Sequence, residues 1–546
     1  MTATNEHPTF EYDESIGDLD PSVHARRWFT LGTLCASLLI IVMDNTILNV
    51  AIPKLIDELG ATNSQVQWIV DGYTLVFAGL LLTTGSLGDR FGRKLALRTG
   101  IVIFAVGSIL SALSGTPMQL ILARCLMGVG GALIMPSTLS ILTNVFRDPR
   151  ERGRAIAVWA GFSGLGVAIG PVIGGILLNH FSWGSVFWVN VPIAIIAVAL
   201  GVFFVPESKD PSAPKLDPVG AALSIVGLGA LLFAIIEGPN DGWGSATVLT
   251  AFVVGGVGMI AFIVWELHTD HPMLDMSFFK NPRFSAANLA ITLTFLAMFG
   301  SMFLMTQYWQ FVHGYSPLEA GVRLIPFAMV MMVTAPLSAR IVERVGTKAV
   351  VSTGLLIVTV ALLLLSFIHT HSSYWTVISM MCLMSAGMGL TMAPATESVM
   401  GSLPREKAGV GSAVNDTTRQ MGGALGVAII GTMVASVYSS GIVSVASAFG
   451  LTPAQTSTAK GSLGAALGLA ADPGSGLADP AGFADAAKDH FVDGLSQGLR
   501  IGAVIVLLAA IVAFKFLPAF AHDPLAHPEQ ADDGGELGVI VPAAGS

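Results

Sequence analysis

Residues 85–94 read GSLGDRFGRK, Gly85 to Lys94, and lie between two long apolar runs. Asp89, Arg90, Arg93 and Lys94 make this the densest charge cluster between such runs. Gly85, Gly88 and Gly92 permit a tight turn, because glycine takes backbone angles that other residues avoid. The stretch predicts a short charged hairpin joining two membrane spans, with its basic residues marking the cytoplasmic side.

The composition agrees. The chain has 546 residues, 53% of them hydrophobic and only 12% charged; a soluble protein carries about 25% charged residues. It reads as an integral membrane protein. The net charge of -9 says little about partners, because the acids fall mostly in tails and loops. Nothing resembles a nucleic-acid patch or a nucleotide-binding loop. Cys35, Cys125 and Cys382 lie inside apolar runs, too scattered for a disulfide framework or a metal site. No nucleophile–base set is present. An enzyme is not expected, nor a cofactor. The N-terminus is acidic and lacks the basic start of a signal peptide, so the first apolar run is expected to remain a span.

A bilayer core of about 30 Å needs roughly 20 apolar residues per helix. Fourteen such runs lie near 29–51, 66–87, 95–114, 118–142, 154–179, 185–205, 217–237, 246–267, 286–312, 320–341, 348–369, 374–400, 409–437 and 499–520. Basic residues cluster in alternate loops: Arg26 and Arg27, then the group from Arg90 to Arg98, then Arg147 to Arg154, then Lys280 and Arg283, Arg340 to Lys348, and Arg405 with Lys407. The opposite loops hold only Lys54, Lys460 and Lys488. Both termini are therefore expected to be cytoplasmic. Glu343-Arg344-Val345-Gly346-Thr347-Lys348 echoes Asp89 to Lys94, each after the second span of a group of six. The expected organisation is a tail (1–28), a six-helix bundle (29–205), a linker with two inserted spans (206–272), a second six-helix bundle (273–520) with an outer loop (438–498), and a tail (521–546). The fold class is an all-α polytopic membrane protein.

Ionisable groups inside a span cost about 2.5–3.5 kcal/mol at the helix centre on insertion scales, so they point to function. Asp44 lies about 22 Å along span one from the cytoplasmic face, and Asp71 and Arg124 lie about 8 and 9 Å in from the outer face. All three fall at similar depth. An arginine there can pair with one carboxylate while a second titrates, which suits a proton carrier. The other reading is a structural ion pair that holds helices together. Further along, Glu397, Asp416, Arg419 and Gln420 lie in spans twelve and thirteen, and Glu397 is placed to pair with Arg419. They read as a gate or switch, or equally as a static pair.

Several segments carry a family resemblance. The order G-x-L-G-D-R-x-G-R-K in 85–94 resembles the signature loop of the major facilitator superfamily, between its second and third spans. MDNTILNVAIP (43–53), with Asp44 and Asn49, resembles the first-span motif of its drug:proton antiporters, and LILARCLMGVGGALIMP (120–136) their fourth-span motif. The resemblance implies that Arg124 takes part in proton coupling with Asp44 as partner. GFSGLGVAIGPVIGG (161–175) sets Gly166, Gly170 and Gly174 in one stripe that admits a neighbouring helix, with a break at Gly170-Pro171 and a further Gly175. It resembles the fifth-span motif of exporters. The Trp-Arg-Trp that often follows is here Trp183-Gly184-Ser185, without the arginine. NDTTRQ (415–420) and YWQFVHGYSPLEAG (308–321) resemble the fourteen-span, EmrB/QacA-type branch.

These residues together imply a major facilitator fold in the cell membrane, exporting amphipathic or cationic compounds in exchange for protons. The alternatives are a dedicated exporter of a lipid, siderophore or endogenous antibiotic, and a non-transporting receptor on the same fold. The partners expected are a small organic substrate, protons and the bilayer. Trp68, Tyr73, Phe77, Phe303, Tyr308, Trp309 and Gln310 are cargo-site candidates by position, among 22 Met and 29 Phe in the chain. Span thirteen begins on the cytoplasmic side, so its positive end is expected to receive Asp89 and latch the halves in an outward-facing state. The copy at Glu343 and Arg344, with Thr347 in place of Arg93, is expected to latch more weakly.

Overall fold

The computed structural model describes residues 21–59, 63–210 and 217–518. The C-terminal tail, most of the N-terminal tail, the middle of the 206–218 linker and the side chain of Asn49 lie outside the described residues. Every regular element among the described residues is helical. Among the described residues, fourteen helices are long and apolar enough to cross a membrane. The spans the site uses are one (Pro21–Leu48), two (Trp68–Phe91), three (Arg93–Ala112), four (Pro117–Val145), five (Pro149–His180) and six (Ser185–Phe204). The inserted pair is seven (Pro218–Gly238) and eight (Ala246–His268). Later come nine (Pro282–Val312), ten (Leu318–Val345), eleven (Thr347–Leu365), twelve (Tyr374–Met400), thirteen (Arg405–Val445) and fourteen (Pro480–Phe516).

Local chemistry sets many of the starts. Asp148, Asp217, Asn281 and Asp479 each cap a helix whose first residue is proline, where the missing N–H costs nothing. The expected outer loop 438–498 is shorter than read from the sequence. The helix of span thirteen runs on to Val445, and that of span fourteen begins at Pro480. Phe483, Ala487, Phe491 and Leu495 recur every fourth residue and are all buried, which carries the helix outward beyond the bilayer-length run. Two short helices, Pro453–Ala459 and Leu463–Ala471, fill the interval.

The opening stretch also differs from a three-glycine turn. The span-two helix continues through Asp89 to Phe91, and the next begins at Arg93. Only Gly92 takes a positive φ, at 117°. Gly346 takes the same role in the repeat, at 83°. Gly85 is helical and serves close approach instead: a Cβ there would stand 2.6 Å from the carbonyl oxygen of Gly409.

Two buried apolar clusters organise the interior. One is built largely from Leu31 to Val205, the other largely from Met273 to Leu517. Leu228 and Phe262 of the inserted pair join the second. The glycine stripe of span five seats span one: a Cβ on Gly166 would meet Val42, one on Gly170 would meet Thr46, and one on Gly174 would meet Ile47. Gly175 and Pro171 face span ten instead, against Leu318 and Gly321.

Gly170→Leu is expected to lower the thermal unfolding midpoint of the purified protein, with overpacking costing about 1–3 kcal/mol. Gly256→Ala, whose Cβ meets nothing within 4 Å, leaves the midpoint unchanged. Equal behaviour of the two variants would contradict this packing role.

Candidate functional site

The first cluster is an ion pair sealed from solvent. Asp44 on span one is 0% exposed and Arg124 on span four 1%. Nη1 of Arg124 donates to Oδ2 of Asp44. The other carboxylate oxygen accepts from Nδ2 of Asn190 on span six at 2.9 Å. That amide also donates to Ser108 of span three at 3.1 Å. Nε of Arg124 donates to the Ile69 carbonyl of span two at 3.1 Å, and its guanidinium lies 4.4 Å from the Tyr73 ring centroid. Tyr73 in turn stacks on Phe77. One carboxylate thus ties five spans together.

The pair is neutral as a unit. Protonating Asp44 would leave the Arg124 charge buried and uncompensated, and breaking a buried pair from one side costs about 3–5 kcal/mol. Asp71, expected as a third member, is half-buried on the same helix as Ile69 and is not without a partner. Asn190 and Ser108 were not singled out from the sequence. Their signal was a lone amide in the apolar run VFWVNVPIA.

The second cluster joins spans two and thirteen at the end where the basic loops gather. Asp89 is 2% exposed and accepts from the backbone N–H groups of Gly409 and Val410, at 2.9 and 3.0 Å. These are free donors of a helix start, with the positive end of its dipole. Arg93 donates to the same carboxylate at 2.8 Å, and to the carbonyls of Arg405 and Glu406 at 2.9 and 3.0 Å. Gly88 packs on Ala96. Arg90 lies over the Phe91 ring, and Lys94 donates to the Val202 carbonyl of span six; neither contact reaches span thirteen. In the repeat, Glu343 pairs with Arg154 at 2.8 Å in an exposed setting, and Arg344 is exposed. Thr347 is buried where Arg93 stands in the first copy.

The third cluster corrects a pairing. Glu397 binds Arg152 of span five at 3.0 Å and Arg283 of span nine at 3.3 Å, not Arg419. Rotation about the span-twelve axis explains this: Arg419 reaches Thr396, the residue before Glu397, while the Glu397 side chain meets the starts of spans five and nine. Arg419 donates instead to Thr396 Oγ1 at 2.9 Å and stands 3.9 Å from Asp416. Gln420 is half-buried beside them.

The aromatic candidates do not converge on one site. Trp68 approaches Phe233 of the inserted pair, with ring centroids 6.1 Å apart. Phe303 is 47% exposed on the outer surface, which argues against a cargo-facing position. Tyr308 and Trp309 are buried, with the Tyr308 hydroxyl donating to the His369 carbonyl, and Gln310 is half-buried. His313, just beyond span nine, has its proton affinity lowered by burial and by Arg323.

A family model described as Major Facilitator Superfamily matches residues 34–427. The chain is 37% identical over 487 residues to the multidrug efflux pump LfrA of Mycolicibacterium smegmatis, covering 89% of this chain and 95% of that one. It is 33% identical over 502 residues to the methyl viologen resistance protein SmvA of Salmonella typhimurium, covering 90% and 99%. It is 34% identical over 423 residues to the methylenomycin A resistance protein of Bacillus subtilis, covering 77% and 90%. Among solved structures, the human organic anion transporter MFSD10 (TETRAN) shares the fold at a TM-score of 0.59 and 15% identity, covering 91% of this chain and 100% of that one. A bacterial homologue of the human lysosomal transporter Spinster shares it at 0.54 and 17%, covering 90% and 96%.

Asp89→Asn weakens the partner of a buried Arg93 and is expected to destabilise the joint by about 3–5 kcal/mol. Glu343→Gln disrupts an exposed pair and is expected to cost under about 1 kcal/mol. Distances between spin labels on spans two and thirteen at the basic end check this: only the Asp89 variant should broaden and lengthen them. Equal, unchanged distances in both variants would contradict the stronger joint.

Proposed function

The chain belongs to the major facilitator superfamily and is a multi-pass cell-membrane transporter, not an enzyme; from that premise we propose that it exports amphipathic or cationic organic compounds in exchange for protons. Both termini and the basic loops then lie in the cytoplasm. Transport proceeds by alternating access, with the two halves rocking about a central site. The observation that carries the reading is the Asp44 carboxylate, buried and shared between Arg124 and Asn190.

Protonation of Asp44 from the outside releases Arg124 and favours the inward-facing state. Loss of that proton to the cytoplasm re-forms the pair and favours the outward-facing one. A ligand shifts such an equilibrium only through its different affinity for the two states, and the changed surroundings of Asp44 supply that difference for the proton. Each charge that moves inward yields about 2.3 kcal/mol per 100 mV. The Asp89 joint closes the cytoplasmic side, consistent with an outward-facing state. The name of one relative supports a cationic cargo, since methyl viologen is an organic cation. The name of another, a resistance protein for one antibiotic, favours the second reading, a dedicated antibiotic exporter. A susceptibility panel with the gene deleted and overexpressed separates the two: protection against several unrelated toxic cations supports the first, and protection against one compound the second.

In proteoliposomes with an imposed pH gradient, Asp44→Asn is expected to lose gradient-driven cargo accumulation while keeping cargo-for-cargo exchange. Accumulation at the wild-type level in that variant would remove Asp44 from the coupling step.

A further inference from the structure

Arg419 lies about 17 Å into the span-thirteen helix, and Trp159 about 15 Å into span five, so both stand near mid-depth of a bilayer core of about 30 Å. They belong to different halves of the molecule. The Arg419 guanidinium stands 4.9 Å from the Trp159 ring centroid and 5.4 Å from that of Phe295 on span nine. The Asp416 carboxylate lies 3.9 Å away. All four side chains are buried. Two aromatic faces and a carboxylate around a positive charge are the groups that recognise an organic cation.

The fit around Arg419 is incomplete. Its Nε, the Trp159 Nε1 and the Asp416 Oδ2 are buried and have no hydrogen-bond partner in the structure. Buried polar groups are ordinarily satisfied, so three orphans in one cluster mark groups arranged for more than this contact. We infer that Trp159, Phe295 and Asp416 form the binding site for a cationic cargo, and that Arg419 fills that site as a built-in cation when no cargo is bound. The inference rests on the reading of the protein as an exporter of cations and locates the site within it.

Because Trp159 comes from one half and Asp416 and Phe295 from the other, separating the halves at the basic end opens the box. Cargo then takes the aromatic faces and the carboxylate, and the Arg419 side chain moves into the opened, hydrated gap. After the cargo leaves, Arg419 returns and competes against rebinding. The built-in cation thereby favours release.

The test is the binding of radiolabelled tetraphenylphosphonium to the full-length protein in lipid nanodiscs. Trp159→Ala and Asp416→Asn are expected to weaken binding about tenfold, while Trp159→Phe, which keeps an aromatic face, retains most of it. Arg419→Gln is expected to tighten binding, because the competitor is gone; a merely structural arginine would give unchanged or weaker binding. The near-isosteric Asp416→Asn and Trp159→Phe guard against misfolding, checked by gel filtration. Weaker or unchanged affinity in Arg419→Gln, or unchanged affinity in both Trp159→Ala and Asp416→Asn, overturns the site. Failure of the wild-type protein to bind tetraphenylphosphonium overturns the cationic cargo class itself, and the site with it.

Discussion

A charge inside a membrane protein survives only with a partner, and the Asp44–Arg124 pair shows how much architecture that requirement recruits. The carboxylate and the guanidinium are both withdrawn from solvent. Their remaining hydrogen-bonding capacity is met by Asn190, Ile69 and, through Asn190, Ser108. The first half is therefore assembled around one neutralised charge. Any event that changes the charge on Asp44 disturbs spans one, two, three, four and six together.

The contacts between the halves have a different character at the two ends. At the basic end they are polar. Asp89 meets the start of span thirteen, Glu397 holds Arg152, Arg154 holds Glu343, and Lys407 meets Asp210. Such groups can be rehydrated when the end opens, which keeps opening affordable. Toward the other end the contact of spans five and ten is apolar, with Gly175 on Leu318 and Pro171 on Gly321. Small residues there allow close approach without a charge to satisfy. Opening of the basic end would then be governed by ionic contacts, and closure of the opposite end by shape.

Much of this was legible in the sequence. Apolar length gave fourteen spans, because each needs about 20 residues whatever it packs against. Depth along the helices brought Asp44 and Arg124 to one level, and the side on which span thirteen starts placed its dipole opposite Asp89. What escaped depends on rotation and on distant partners. Arg152 and Arg283 looked like topology markers in loops, yet they hold Glu397. Trp159 carries no signal of its own in the sequence, and only packing puts it against Arg419. Gly85 reads as a turn residue in the sequence, because sequence does not distinguish glycine that bends a chain from glycine that admits a neighbour.

The exchange of protons for cargo is tested most directly on the wild-type protein in vesicles that trap a pH-sensitive dye. With no gradient imposed, entry of tetraphenylphosphonium through the transporter is predicted to drive protons the opposite way, in a fixed ratio to the cargo moved. Cargo movement through the protein with no accompanying proton movement would contradict the account.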